Sequence, residues 1–176
     1  DSDFKEMPKW NPVQVDFGEL IEFKTALLHL AYERFMDDTI QDDLHTDESL
    51  ITEYQQFCEN TFWLDDYALF MAVKKCFGGV AWSEWAQDIR LRWGYSLDYY
   101  REKYYFDIEF YKYLQFVFLQ QWTKLKAYAN KNGIKIIGDI PIYVAFDSAD
   151  AWANPQLFQF TQENLPAAVA GCPPDA

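Results

Sequence analysis

The sequence predicts an α/β fold, on three observations. Up to about residue 132, apolar residues recur every three or four positions, the period of helices packed on one face. Ile134, Lys135, Ile136 and Ile137, β-branched at three of four positions and enclosed by Gly133 and Gly138, then read as a short buried strand. That strand has no evident parallel partner within the 176 residues, although a buried strand leaves its amides and carbonyls unsatisfied unless neighbours pair with them. A slice through a (β/α)8 barrel, whose usual length of roughly 250 residues exceeds this chain, reconciles the three. The expected organisation is a mainly helical part over 1–132, then a barrel strand with its loop over 133–176. The chain opens on Asp1 and stops at Pro174, Asp175 and Ala176 without a closing element, and both ends read as cuts.

The helices follow in order. Asp16 is placed to cap a helix with Leu20, Phe23, Leu27, Leu28, Ala31 and Phe35 on one face, broken by the acidic stretch from Asp37 to Asp43. A second runs from about Glu48 to Cys58, with Leu50, Ile51, Tyr54 and Phe57 inward. A third, from Asp65 to Phe77, is apolar almost all round and therefore buried; Lys74 and Lys75 suit the negative end of its dipole, and Gly78 and Gly79 close it. Ser83 is expected to cap a short helix through Arg90, and Ser96 to start one long helix through Ile108, Tyr111, Leu114, Phe118, Trp122, Leu125 and Ala129. Gly133 ends it in a left-handed conformation. Beyond the strand, Ser148 caps a single turn over Ala149 to Ala153, and Asn164 and Pro166 sit in the turn of a hairpin.

Composition narrows the function. With 15 Lys and Arg against 28 Asp and Glu, the formal charge is -13, which repels nucleic-acid backbones and anionic membranes and suits a neutral ligand, although acidity by itself serves mainly solubility. Cys58, Cys76 and Cys172 are odd in number and widely spaced, and with His29 and His45 they form neither a disulfide framework nor a zinc site; no metal or cofactor is expected. No apolar run is long enough to cross a bilayer and no secretory signal precedes the first helix, so a cytoplasmic setting is expected, or a plastid in a plant or alga.

Asp139 directly follows the strand, at the end where barrels and open α/β sheets bind ligands; position alone leaves open whether it binds or caps the turn before Pro141. Ser148 between Asp147 and Asp150 could be read as a nucleophile among acids, but no neighbouring base is present and a helix cap is the better reading. Asp65 and Asp66 point apart on a helix and read as an N-terminal cap rather than an acid and base pair. Aromatic residues make up 19% of the chain; most belong to the core, whereas Tyr143, Phe146 and Trp152 are candidates to line a cleft, since rings with a polar edge are what sugars stack on.

The segment from Gly138 through Asp139, Tyr143, Asp147, Ser148 and Trp152 to Pro155 resembles the third-strand region of the amylomaltases, or 4-alpha-glucanotransferases. Val169 to Asp175 is similar to their mobile loop, and Phe62–Phe70, Phe77–Gly79 and Gln115–Trp122 to their helical insertion. Ala151 and Cys172 depart from the common pattern, at no polar contact. The resemblance implies a TIM barrel that moves an α-1,4-glucan segment between maltooligosaccharides, with glucose released, through a covalent intermediate made by a carboxylate nucleophile and a second carboxyl group about 5 Å away. In the family both lie later in the chain than any residue here, so this excerpt is expected to be inactive by itself. Asp139 and Asp175 match family residues that contact the glucan, and Tyr143, Ser148 and Trp152 complete the expected substrate-binding set. Two other readings stay open: a non-catalytic α-glucan-binding module, and a hydrolase of the α-amylase clan.

Overall fold

The computed structural model describes residues 10–11, 13–40, 48–141, 143–168 and 171. Its elements are α1 (Phe17–Ile40), α2 (Glu48–Asn60), α3 (Leu64–Cys76), a 3-10 turn (Trp82–Glu84), α4 (Gln87–Arg90), α5 (Gly94–Lys103), α6 (Tyr105–Lys131), α7 (Ala149–Ala153) and a second 3-10 turn (Pro155–Leu157). Contacts divide the chain into two units, residues 1–56 and 57–176.

In the first unit the Asp16 carboxylate accepts the Glu19 amide at 3.1 Å and so caps α1, as its position before the apolar series predicts. The helix continues through Ile40, past the point where the acidic residues were expected to break it. Its inward side is Tyr32 and Phe35, with Leu20, Phe23, Leu27 and Ala31 half-buried and Leu28 exposed. The Phe35 ring meets Tyr54 of α2 edge to face at 5.3 Å.

The second unit is built around α3. Leu64, Ala68, Leu69, Phe70, Ala72 and Val73 are all buried, as a helix apolar on nearly every side requires. One flank packs on α6 and another on α7; Trp82, Trp85 and Ile89 complete the core. Gly78 and Gly79, with φ of 70° and 83°, return the chain, and the Gly79 amide bonds the Lys74 carbonyl at 2.8 Å. Gly133, at φ 77°, ends α6 in the same way.

Several expectations are corrected. Ser83 lies in a 3-10 turn and caps nothing; α4 begins after Ala86 without a side-chain cap. Ser96 is buried inside α5, which starts after Trp93. The single long helix is two, broken at Tyr104, whose ring stacks on Tyr100 at 5.8 Å and whose hydroxyl meets the Cys76 thiol at 2.8 Å. Packing against the end of α3 overrides helical continuity there. Asp65 and Asp66 do not cap α3 through their side chains; they point apart, into ion pairs with Lys112 at 2.8 Å and Arg92 at 2.6 Å.

The largest correction concerns the strand. No strand occurs among the described residues, and Ile134–Ile137 is an extended segment whose Ile137 is 93% exposed. From Lys135 to Pro141 its backbone makes no backbone–backbone hydrogen bond to another described residue. A strand exists only through its ladder, and nothing among these residues supplies the partner. The hairpin is reduced to one antiparallel bridge, Phe160 with Pro166, around Asn164 at φ 57°.

Burial raises the hydroxyl pKa of Tyr67, Tyr111 and Tyr113 above the ordinary value near 10, in Tyr67 against a hydrogen bond from Gln115 that lowers it. Above pH 10 the unfolded chain therefore loses these protons before the folded one does, so stability falls as pH rises. Urea unfolding between pH 8 and 11 should show a flat midpoint that drops above pH 10, with a shallower drop in Tyr67→Phe.

Candidate functional site

The segment after α6 carries the candidate residues between two fixed ends. At its start the left-handed Gly133 lets the Ile134 amide return to the Ala129 carbonyl at 3.0 Å. At its end three groups hold it: the Trp82 indole N–H donates to the Phe146 carbonyl at 2.6 Å, the Asp147 carboxylate accepts the Trp82 amide at 3.3 Å, and its other oxygen meets Lys74 Nζ at 2.5 Å. Ser148 then caps α7, its hydroxyl accepting the Ala151 amide at 3.2 Å. Asp147 and Ser148 thus have structural duties, which agrees with reading Ser148 as a cap rather than a nucleophile.

Between these ends Asp139 and Tyr143 face solvent, Tyr143 at 70% exposure. Asp139 spends one carboxylate oxygen on the adjacent Ile140 amide, at 2.9 Å; the other has no partner among the described residues, and no cation pairs with the group. An acceptor and a ring with a polar edge, four residues apart on an exposed segment, can receive hydroxyl groups and stack on a flat ligand. They cannot perform acid–base chemistry without a second carboxyl group.

Trp152 sits elsewhere. It is 1% exposed, wedged between Phe70 and Trp85 at ring distances of 5.9 and 5.7 Å, with its indole N–H on the Ile89 carbonyl at 3.1 Å. The Arg92 guanidinium lies over its ring at 4.2 Å and is held there by Asp66. Phe146 is half-buried on Trp82, at 4.7 Å. Asp175 and Cys172, with most of the mobile-loop resemblance, lie outside the described residues.

Two groups that fix the site were missed by sequence reasoning. The helix dipole accounts for Lys74 locally, yet the side chain reaches Asp147 across 73 positions. Arg92 adopts φ 56° at the end of α4, a left-handed position where glycine is usual, and it is retained where its side chain joins Asp66 to Trp152. A non-glycine residue two positions past a four-residue helix carries no signal of this.

Two of the helical stretches singled out by resemblance meet, Gln115 of α6 donating to the Tyr67 hydroxyl at 3.1 Å, while the third places Phe77 on Trp85 of the core at 5.7 Å. Fold and loop together define a helical platform presenting one exposed segment that carries a carboxylate and a ring. The 4-alpha-glucanotransferase family model matches residues 2–176, and the chain belongs to that family. It is 42% identical over 168 residues to a 4-alpha-glucanotransferase of Clostridium butyricum, covering 94% of this chain and 32% of that protein. A 4-alpha-glucanotransferase of Streptococcus pneumoniae is 40% identical over 164 residues, covering 92% and 30%. Among solved structures, an amylomaltase from Streptococcus agalactiae in complex with acarbose superimposes with a TM-score of 0.88 at 34% identity, over 99% of this chain and 34% of that one. The chain thus spans about a third of the length of the relatives it matches.

Trp152→Ala removes a fully buried ring and its hydrogen bond and should cost about 3–5 kcal/mol in thermal or urea unfolding. Asp139→Ala, at an exposed position, should leave the midpoint unchanged. Equal losses in the two variants would contradict this division between core and site.

Proposed function

We propose that the full-length protein is a 4-alpha-glucanotransferase that transfers α-1,4-glucan segments between maltooligosaccharides, releasing glucose, by a retaining double displacement. The observation that carries this reading is the exposed Asp139–Tyr143 segment, pinned at both ends, in a chain of this family. Asp139 accepts hydroxyls of a bound glucose unit and Tyr143 covers its apolar face, with Asp175 contributing a second carboxylate from the loop that follows. Ser148 and Trp152 serve the same site from behind, by capping and seating α7 so that the segment keeps its course. The nucleophile and the acid/base, two carboxyl groups about 5 Å apart in retaining transfer, come from parts of the protein beyond these residues, as the family resemblance implies. By itself, therefore, the 176-residue chain binds but does not transfer.

In the same reading, the extended Ile134–Gly138 segment is a barrel strand that finds its ladder in the rest of the protein, and residues 1–132 are the helical part beside the barrel. The exposed Ile134, Ile137 and Ile140 support this, as side chains that water leaves unfavourably bare. No helix among the described residues is long and apolar enough to cross a membrane. The acidic surface suits a neutral glucan over nucleic acid, and we assign the protein to the cytoplasm, or to a plastid if its source is a plant or alga.

Full-length protein incubated with maltotriose should yield glucose together with maltotetraose and longer products, and Asp139→Ala should weaken substrate binding roughly tenfold or more, as loss of a charged acceptor does. Glucose without longer products would indicate hydrolysis; maltodextrin binding without turnover would indicate a binding module. Hydrogen exchange tests the strand: amides 135–138 should be protected in the full-length protein and exchange freely in the 176-residue chain, where they make no backbone bond to a described residue.

A further inference from the structure

A second polar and aromatic cleft lies between the start of α3 and α7, apart from Asp139 and Tyr143. It has a volume of about 390 Å³, within the roughly 300–1,000 Å³ of small-ligand sites, and Phe62, Trp63, Asp66, Tyr67, Asp150 and Asn154 line it. Within this chain Phe62 is 95% exposed and Trp63 40%, and both rings border the cleft.

We propose that this cleft is an accessory α-glucan subsite, which seats a glucose unit of the polymer on the Phe62 and Trp63 rings and bonds its hydroxyls through Asp66, Tyr67 and Asp150. The ligand class rests on the transferase reading; the cleft's existence does not. Its walls are already set. The Trp63 indole meets Tyr67 edge to face at 5.8 Å, which limits its swing. The Tyr67 hydroxyl accepts the Gln115 amide at 3.1 Å, leaving its O–H free to donate, and burial keeps the phenol neutral. Asp66 is oriented by Arg92, itself laid over Trp152, while the Asp150 carboxylate makes no hydrogen bond or ion pair to a described residue.

The composition selects for a neutral polyhydroxylated ring. Two carboxylates with no free cation reject a phosphate or other anion. The rings offer stacking faces that a small polar ion would not use, and donor and acceptors on the cleft walls match the alternating hydroxyls of a sugar edge. A long glucan has further glucose units to place in this cleft, which a short oligosaccharide lacks, so the gain is one of effective concentration for long substrates.

The test uses full-length protein and a maltoheptaose analogue with sulfur in its glycosidic bridges, which binds without being transferred. Calorimetry should show two binding events in the wild type. In Phe62→Ala and in Asp150→Ala, both at exposed positions, the second event should weaken roughly tenfold or vanish. KM for amylose should rise several-fold, with kcat/KM for maltotriose unchanged and the thermal midpoint matching wild type. Unaltered stoichiometry and affinity in both variants, or a parallel fall in maltotriose transfer, would overturn the proposal. Failure of the wild type to convert maltotriose would instead overturn the transferase reading, and loss of one binding event in the variants would still establish the subsite.

Discussion

The second unit depends on the near-complete burial of α3. A helix with Leu64, Ala68, Leu69, Phe70, Ala72 and Val73 all withdrawn from water cannot rest on a single neighbour, because its apolar side chains occupy more than one stripe. It therefore gathers α6 on one flank and α7 with the tryptophan cluster on another. Its polar residues are left at the ends, and each is used there: Asp65 and Asp66 reach Lys112 and Arg92, while Lys74 and Lys75 reach Asp147 and Asp107. These pairs are partly exposed and individually modest in energy. Their effect is to choose which segments lie beside the helix.

That choice connects the core to the candidate site. The Asp139 segment has almost no hydrogen bonds of its own, so its course is set by what holds its two ends. One end is the glycine cap of α6; the other is the Lys74, Trp82, Asp147 and Ser148 cluster, which rests on α3 and on the buried Trp152. Arg92 shows the same economy, accepting a left-handed backbone so that one guanidinium can cover Trp152 and orient Asp66. Residues of the core and its edges thereby decide where the exposed candidate residues are.

Much of this was legible in the sequence wherever the governing interaction is local. The Asp16 cap, the Glu48 helix with its inward Leu50 and Ile51, the buried α3 closed by Gly78 and Gly79, the stop at Gly133 and the Ser148 cap each depend on contacts within about four residues. Where two local signals competed, position alone misled. Ser83 and Ser96 have the residue type of a cap, yet Ser96 is buried in α5, whose Tyr100, with Tyr104 after it, packs on the end of α3. Periodicity also overstated burial. Phe118, Trp122 and Leu125 keep helical spacing in α6 yet remain exposed, because spacing records which face is apolar and not whether anything covers it.

For the site, the sequence by itself determined the chemistry on offer: a carboxylate at Asp139 and a phenol at Tyr143 just after a β-branched run, and the motifs that carry the family. These are properties of residue type and order, fixed before folding. The tertiary structure alone decided that Trp152 is a core residue and Asp147 a tether, and that Phe62 and Asp150 border one cleft although 88 positions separate them (150 minus 62). It also left the Ile134–Ile137 run exposed rather than in a sheet. The physical reason is the same in each case. Burial, ion pairing and strand pairing are relations between residues distant in the chain, and a sequence states only one member of each pair at a time.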